Sequence, residues 1–272
     1  MKISFIGGGN MASSLIGGLI ADGYNPQDIS VVDINEQQLD NLKSRFGIKV
    51  YSDGSSAVKG ADTVVFSIKP QAFKSVALAL AADIAASKAL VISVAAGIRT
   101  HDIGRWLGHD CAIVRAMPNT PALVQCSASA LFANDFANSE QKNGAESILR
   151  ATGLALWVDD ESLMDTVTAL SGSGPAYFFR VMESLVKAGQ SLGLSHEQAR
   201  LLTLQTALGA AKLAMESQES LSELREGVTS PGGTTEQGLK IMNENNIDEL
   251  IHKVVSAARQ RSIELADMLG ED

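Results

Sequence analysis

Gly7, Gly9 and Ala12 stand in a G-x-G-x-x-A spacing that opens directly after the apolar run Lys2–Ile6. Residues of these types in this order can bind a dinucleotide through its pyrophosphate. The first glycine permits a tight strand-to-helix turn, the second lets backbone approach the phosphates, and the alanine allows close helix–strand packing. The helix that follows turns its free amides and the positive end of its dipole toward the negative charge. Asp33 ends the next apolar run, where a carboxylate can bond an adenosine ribose 2′-hydroxyl and favour NAD(H). It can equally cap a helix over Asn35–Phe46. Lys69-Pro70 follows the fourth apolar run, on the edge where such sheets bind ligands. Three more segments are dense in Gly, Pro and hydroxyl residues: Arg115–Pro121, Ser171–Tyr177 and Val228–Thr235. Each fits turn chemistry. In the last, glycines ahead of a helix starting near Glu236 would also form a nest of N–H groups suited to a carboxylate.

These groups need elements to hold them. Lys2–Ile6, Ile29–Val32, Ile48–Tyr51, Thr63–Ser67, Ala89–Val94 and Cys111–Ala116 are short, apolar and mostly β-branched. Helical periodicity over stretches such as Met11–Ala21 and Glu36–Phe46 separates the first five, which implies parallel βαβ units. Ser127–Ala133 and Leu154–Val158 read as two more strands flanking a helix over 139–152. The pattern predicts an α/β Rossmann domain over 1–160, doubly wound with a mostly parallel sheet. An all-α domain over 161–272 follows, with helices at Leu163–Leu170, Tyr177–Leu192, His196–Ser217 and Ile247–Leu269. The third of these carries Leu201, Leu204 and Leu208 on one face and Leu202, Ala207, Ala210 and Ala214 on the other. Such a helix must be buried all round. The small domain is expected to cover one face, and a second subunit the other.

The formal net charge is −9, with 22 Lys and Arg against 31 Asp and Glu. Nucleic acid is therefore excluded as a routine partner, because phosphate backbones require a basic surface. No apolar stretch reaches the roughly 20 residues of a membrane span, and the N-terminal run breaks at Gly7, so neither a membrane anchor nor a signal segment is expected. Cys111 and Cys126 are too few for a Cys-based metal site or a disulfide scaffold, which points to the cytoplasm. Both are read as strand residues. His101, His109, His196 and His252 fall outside all the segments above and are assigned surface or structural roles.

Taken together, Phe5–Ala12, Ile68-Lys69-Pro70, Arg115–Pro121, Leu170–Tyr177 and Thr229–Thr235 resemble the pyrroline-5-carboxylate reductases, in the order of that family and across nearly the whole chain. The Ser-Pro-Gly-Gly-x-Thr element at Ser230–Thr235 is specific to it, whereas the glycine motif is not. The resemblance implies hydride transfer from a reduced nicotinamide to the C=N carbon of 1-pyrroline-5-carboxylate, giving L-proline. It also implies an interlocked homodimer, with larger oligomers of dimers occurring in the family. By position, Gly7, Gly8, Gly9, Asn10, Met11 and Ala12 hold the pyrophosphate, and Lys69, Pro70 and Ala95 line the cofactor. Ser230, Gly233, Thr234 and Thr235 form the substrate loop, with the Thr235 hydroxyl at the imine nitrogen. The family implies NADP(H), whereas Asp33 would repel a 2′-phosphate. Gly54 stands where relatives often carry Asn, so one ribose contact is missing.

Two other classes share parts of this pattern. A β-hydroxyacid dehydrogenase would need an acid–base lysine about one turn into the second domain's first helix, yet none occurs there before Lys187. A non-catalytic dinucleotide sensor would have no use for an intact Ser230–Thr235 loop.

Overall fold

The computed structural model describes residues 1–108 and 110–270, so His109 lies outside the described residues. The chain folds as two units: Met1–Ser173 with the chain from Ala257 onward, and Gly174–Ser256. In the first unit eight strands form one sheet: β1 (Ile3–Ile6), β2 (Ile29–Val32), β3 (Lys49–Tyr51), β4 (Thr63–Phe66), β5 (Leu90–Ser93), β6 (Ile113–Met117), β7 (Ser127–Ala133) and β8 (Gly153–Trp157). Their order is β3-β2-β1-β4-β5-β6-β7-β8. β1 to β6 run parallel, covered by α1 (Asn10–Ala21), α2 (Glu36–Phe46), α3 (Gly54–Val58), α4 (Pro70–Ser87) and α5 (Thr100–Leu107). Coverage on both faces explains why β1, β4 and β5 are apolar without alternation and buried at every position. β6 and β7 pair antiparallel, and β7 pairs parallel with β8 across α6 (Ser139–Arg150). The reversal follows from the link: 118–126 holds only a short 3-10 turn, Thr120–Val124, too little for a parallel crossover.

Arg115 of β6 lies 3% exposed at the centre of a charged cluster. It pairs with Glu161 at 3.3 Å and Asp165 at 3.7 Å. Glu161 also accepts from the Thr100 amide and hydroxyl, and Asp165 accepts from Ser262 Oγ at 2.7 Å. The cluster thus joins β6 to the start of α5, to α7 (Leu163–Val167) and to the end of α12 (Ile247–Gly270). A buried charge needs partners of this kind, and losing one is strongly destabilising. The helix expected over Leu163–Leu170 is α7 followed by a π turn at Thr168–Gly172. Asn119 Nδ2 donates to the Ser171 carbonyl of that turn at 3.0 Å, while its Oδ1 accepts from Ala128 N and Ser127 Oγ.

The second unit contains α8 (Gly174–Ser191), α9 (His196–Glu216), α10 (Leu221–Gly227), α11 (Thr234–Glu244) and the first part of α12. Within the chain α9 is covered only along a stripe, where Ala199 is buried and Thr203, Ala207 and Ala214 are half-buried; neither leucine face is covered. Leu201 and Leu208 are 53% and 62% exposed, and Leu202 on the other side is 59% exposed. Only Ala199 of α9 and Gly174 of α8 are buried, and α10 and α11 bury nothing. Only α8 and α9 pack closely on each other, and one helix pair cannot enclose a core of its own, so the second unit presents its apolar residues outward.

Candidate functional site

The strand register sets one edge of the sheet as a row. Val32 pairs with Ile6, Ile6 with Phe66, and Phe66 with Ser93, so β2, β1, β4 and β5 end side by side. Asp33, Gly7, Lys69 and Ala95 therefore leave the sheet in that order along its carboxyl edge. Three interstrand spacings give a row of about 14 Å. The chain departs to opposite sides of β1 into β2 and β4, which makes this the switch point where doubly wound sheets bind ligands.

The residues present fit a dinucleotide there. Gly7 has φ +96°, and a Cβ on it would stand 2.5 Å from the Ser67 carbonyl oxygen. At Gly8 the nearest atom to a built Cβ is the movable end of a side chain, Leu42 Cδ1 at 2.8 Å. Gly9 has open space on that side and is the N-cap of α1, with no side chain capping the helix. Among the described residues the Asn10, Met11 and Ala12 amides have no acceptor, since the first bond into the helix is Ser13 N to Gly9 O. Ala12 is fully buried against the sheet. Lys69 is exposed at the N-cap of α4, with Pro70 as its first residue. Ala95 is buried in the turn after β5, its amide donating to Ser93 Oγ.

Asp33 does not cap α2 directly. The N-cap is Asn35, whose side chain accepts from Gln38 N at 3.2 Å. Asp33 instead accepts from Asn35 N through Oδ1 at 2.9 Å and from Gly8 N through Oδ2 at 2.7 Å. Gln38 Nε2 donates to the Gly8 carbonyl at 2.7 Å. Sequence reasoning left Gln38 out, although an N-cap Asn followed three residues on by Gln is a readable pattern. Gly54 opens α3, where a Cβ would meet the side-chain end of Leu80 on α4, Cδ2 at 2.9 Å.

The second unit places Val228–Thr235 at the start of α11. Ser230 and Gly233 close a turn through Gly233 N to Ser230 O at 2.9 Å, with Gly232 at φ +71°. Gly233 is the N-cap and supplies no side chain, so the amides of Thr234 and Thr235 open outward at the positive end of the helix. Glu236 Oε2 holds Gly232 N at 2.9 Å and so braces the turn. Ser230 and Thr235 are exposed, and among the described residues their hydroxyls have no hydrogen-bond partner. This arrangement can receive a carboxylate on backbone amides and present a hydroxyl beside it.

Other reactive groups play no comparable part. Neither cysteine lies in a strand: Cys111 precedes β6 and Cys126 precedes β7, where the backbone is still in its entering loop. Burial, with the charge of Asp110 adding to it, pushes the Cys111 thiol up to about 11, so it stays protonated. Among the described residues no group of His, Cys, Asp and Glu could hold a metal ion. No described helix is long and apolar enough to cross a membrane. His101, His196 and His252 are exposed. Lys187 lies near the end of α8 and is ion-paired with Glu183 at 2.5 Å, which leaves the first turns of α8 without the lysine a β-hydroxyacid dehydrogenase would need.

Comparisons with known proteins agree with this layout. Residues 161–265 match the family described as "Pyrroline-5-carboxylate reductase dimerisation", and residues 2–97 match "NADP oxidoreductase coenzyme F420-dependent". The chain is 48% identical over 270 residues to a pyrroline-5-carboxylate reductase of Pseudomonas aeruginosa, covering 99% of this chain and 98% of that one. It is similar to a solved pyrroline-5-carboxylate reductase from Coxiella burnetii, with a TM-score of 0.94 and 48% identity over 97% of this chain and 98% of that one. A Plasmodium falciparum pyrroline carboxylate reductase solved with NADP bound has a TM-score of 0.86 at 29% identity, covering 98% of each chain. The chain belongs to the pyrroline-5-carboxylate reductase family.

Proposed function

We propose that this chain reduces 1-pyrroline-5-carboxylate to L-proline with NAD(P)H. The observation that carries the reading is the Ser230–Thr235 turn, with outward backbone amides and a free hydroxyl at the head of α11. The bound dinucleotide would supply a hydride to the C=N carbon. The Asn10–Ala12 amides receive its pyrophosphate, Asp33 faces the adenosine ribose, and Lys69, Pro70 and Ala95 line the nicotinamide half. In the substrate loop, Thr234 and Thr235 amides hold the carboxylate, with Ser230 and Gly233 shaping the turn. The Thr235 hydroxyl meets the imine nitrogen as that nitrogen becomes an amine. An imine is already polarised, so positioning and one modest donor suffice, without a His or Cys dyad.

The division into residues 1–160 and 161–272 follows the matched dimerisation region, which begins at 161, whereas the compact units differ from it, the first running on to Ser173 and taking back the chain from Ala257. The outward apolar face of α9 supports a homodimer, and light scattering would count any larger assembly of dimers. Two unpaired cysteines support a cytoplasmic setting. Oxidation of NADPH or NADH followed at the nicotinamide absorbance, with pyrroline-5-carboxylate present and absent, tests the activity. Substrate-dependent oxidation is expected with both cofactors. No turnover with either would end the reading.

Cofactor choice gives a sharper expectation. Asp33 presents a fixed carboxylate to the position of a 2′-phosphate, so Asp33→Ser is expected to raise the NADPH:NADH ratio of kcat/KM by about tenfold. The same change removes an acceptor from Gly8 N and Asn35 N, costing about 1 kcal/mol of stability. A loss of stability with an unchanged ratio would assign Asp33 to the loop alone.

A further inference from the structure

Gly8 is held through both its amide and its carbonyl, and the way it is held is peculiar to one helix start. Three helices begin with an Asn or Ser N-cap and a glutamine three residues later: α2 with Asn35 and Gln38, α6 with Asn138 and Gln141, α9 with Ser195 and Gln198. At α6 and α9 the glutamine folds back on its own cap, Gln141 Oε1 accepting from Asn138 N and Gln198 Oε1 from Ser195 N, each at 3.0 Å. At α2 that job has passed to Asp33, whose Oδ1 takes the Asn35 amide. Gln38 is thereby released and reaches 30 residues back in sequence to the Gly8 carbonyl at 2.7 Å. A carbonyl can only accept, so the amide nitrogen of Gln38 must face it. The preceding peptide, Gly7–Gly8, is held as well: its Gly8 N donates to Asp33 Oδ2 at 2.7 Å.

We propose that Gln38 is a positioning residue for the dinucleotide. Asp33 holds the Gly7–Gly8 peptide and Gln38 the Gly8–Gly9 peptide, so together they fix the two planes that meet at the Gly8 Cα and the direction in which the Gly9–Ala12 backbone presents its amides. A Gly-Gly step has more conformational freedom than other dipeptides, and fixing it before binding removes an ordering cost from the complex. The inference rests on the reading of Gly7–Ala12 as the pyrophosphate loop. It divides the work of the two side chains. The Gly8–Gly9 peptide serves NADH and NADPH alike, so Gln38 governs affinity for both, whereas Asp33 also faces the 2′ position and governs their ratio.

Dissociation constants of the full-length chain for NADPH, NADH and ADP test this, read by fluorescence or calorimetry. ADP carries the pyrophosphate without a nicotinamide or a 2′-phosphate. Gln38→Ala is expected to weaken all three by about tenfold, the factor of one net hydrogen bond, with the NADH:NADPH ratio unchanged within twofold. Gln38→Glu should weaken them further, because a carboxylate oxygen would face the Gly8 carbonyl. Gln141→Ala loses the equivalent bond at α6 and should leave all three constants unchanged. A merely structural glutamine at the third helical position would lower the melting temperature and leave binding alone. Folded Gln38→Ala with wild-type constants, or with a changed ratio, overturns the proposal; if Gln38→Glu fails to fold, Gln38→Ala decides. A wild-type chain that binds none of the three overturns the pyrophosphate reading itself, and the proposal with it.

Discussion

Thr235→Ala is expected to lower kcat by about a hundredfold while KM for pyrroline-5-carboxylate changes only a few-fold. In the proposed mode the carboxylate is held by backbone amides at the head of α11, which the substitution leaves in place, so ground-state binding should survive. In the same proposal the hydroxyl acts on the imine nitrogen, where charge changes during hydride addition, and a donor aimed at developing charge affects the transition state more than the bound substrate. Loss of one such preorganised donor costs on the order of 10²- to 10³-fold. Thr235→Ser keeps the hydroxyl and should recover most of the rate, whereas Thr235→Val keeps the shape and should not. Thr235 is exposed and its side chain bonds nothing among the described residues, so the fold should tolerate all three. Steady-state kinetics of folded Thr235→Ala within twofold of the parent would remove the hydroxyl from the mechanism.

Much of the first unit was readable because its strands are buried on both faces. A run such as Leu90–Ser93 has no alternation to mistake and is bounded by helical periodicity, so its position follows from residue type. Direction is different. Nothing in Ser127–Ala133 itself says that β7 opposes β6; the reversal comes from what the link 118–126 can span. The π turn at Thr168–Gly172 was also hidden, since apolar spacing is much the same for either kind of turn over five residues. At the site, Gly7 and Gly9 announced themselves by spacing. Gln38 did not, because its pattern normally ends at its own N-cap. Only the contact of Asp33 with Asn35 N, which depends on where β2 delivers the chain, diverts it to Gly8. By residue type and position Asp33 suits either a ribose contact or a cap. Its carboxylate in fact bonds a glycine of the loop and the amide of the residue that does the capping.

The apolar periodicity of α9 led to an overestimate of what one chain can cover, and that sharpens the last expectation. Ala210 is exposed on a helix surface in the single chain. There a glutamate is a good helix former and should change stability by no more than about 0.5 kcal/mol. If a second copy covers this face, the same carboxylate is desolvated without a partner. A two-fold interface repeats the insult on both subunits. At about 3 kcal/mol or more for the pair, Ala210→Glu should raise the dimer dissociation constant at least a hundredfold. Activity should fall with assembly, because the Ser230–Thr235 turn is carried by helices that bury almost nothing of their own. Such a turn keeps its shape only when the apolar residues around α9, among them Leu202 and Leu208, are taken out of water by a partner. Raising the protein concentration should restore dimer and turnover in parallel, while Gln218→Glu, beyond the end of α9, should alter neither. Light scattering that finds a fully active monomer, in the parent chain or in Ala210→Glu, would show that unit two holds its substrate loop unaided.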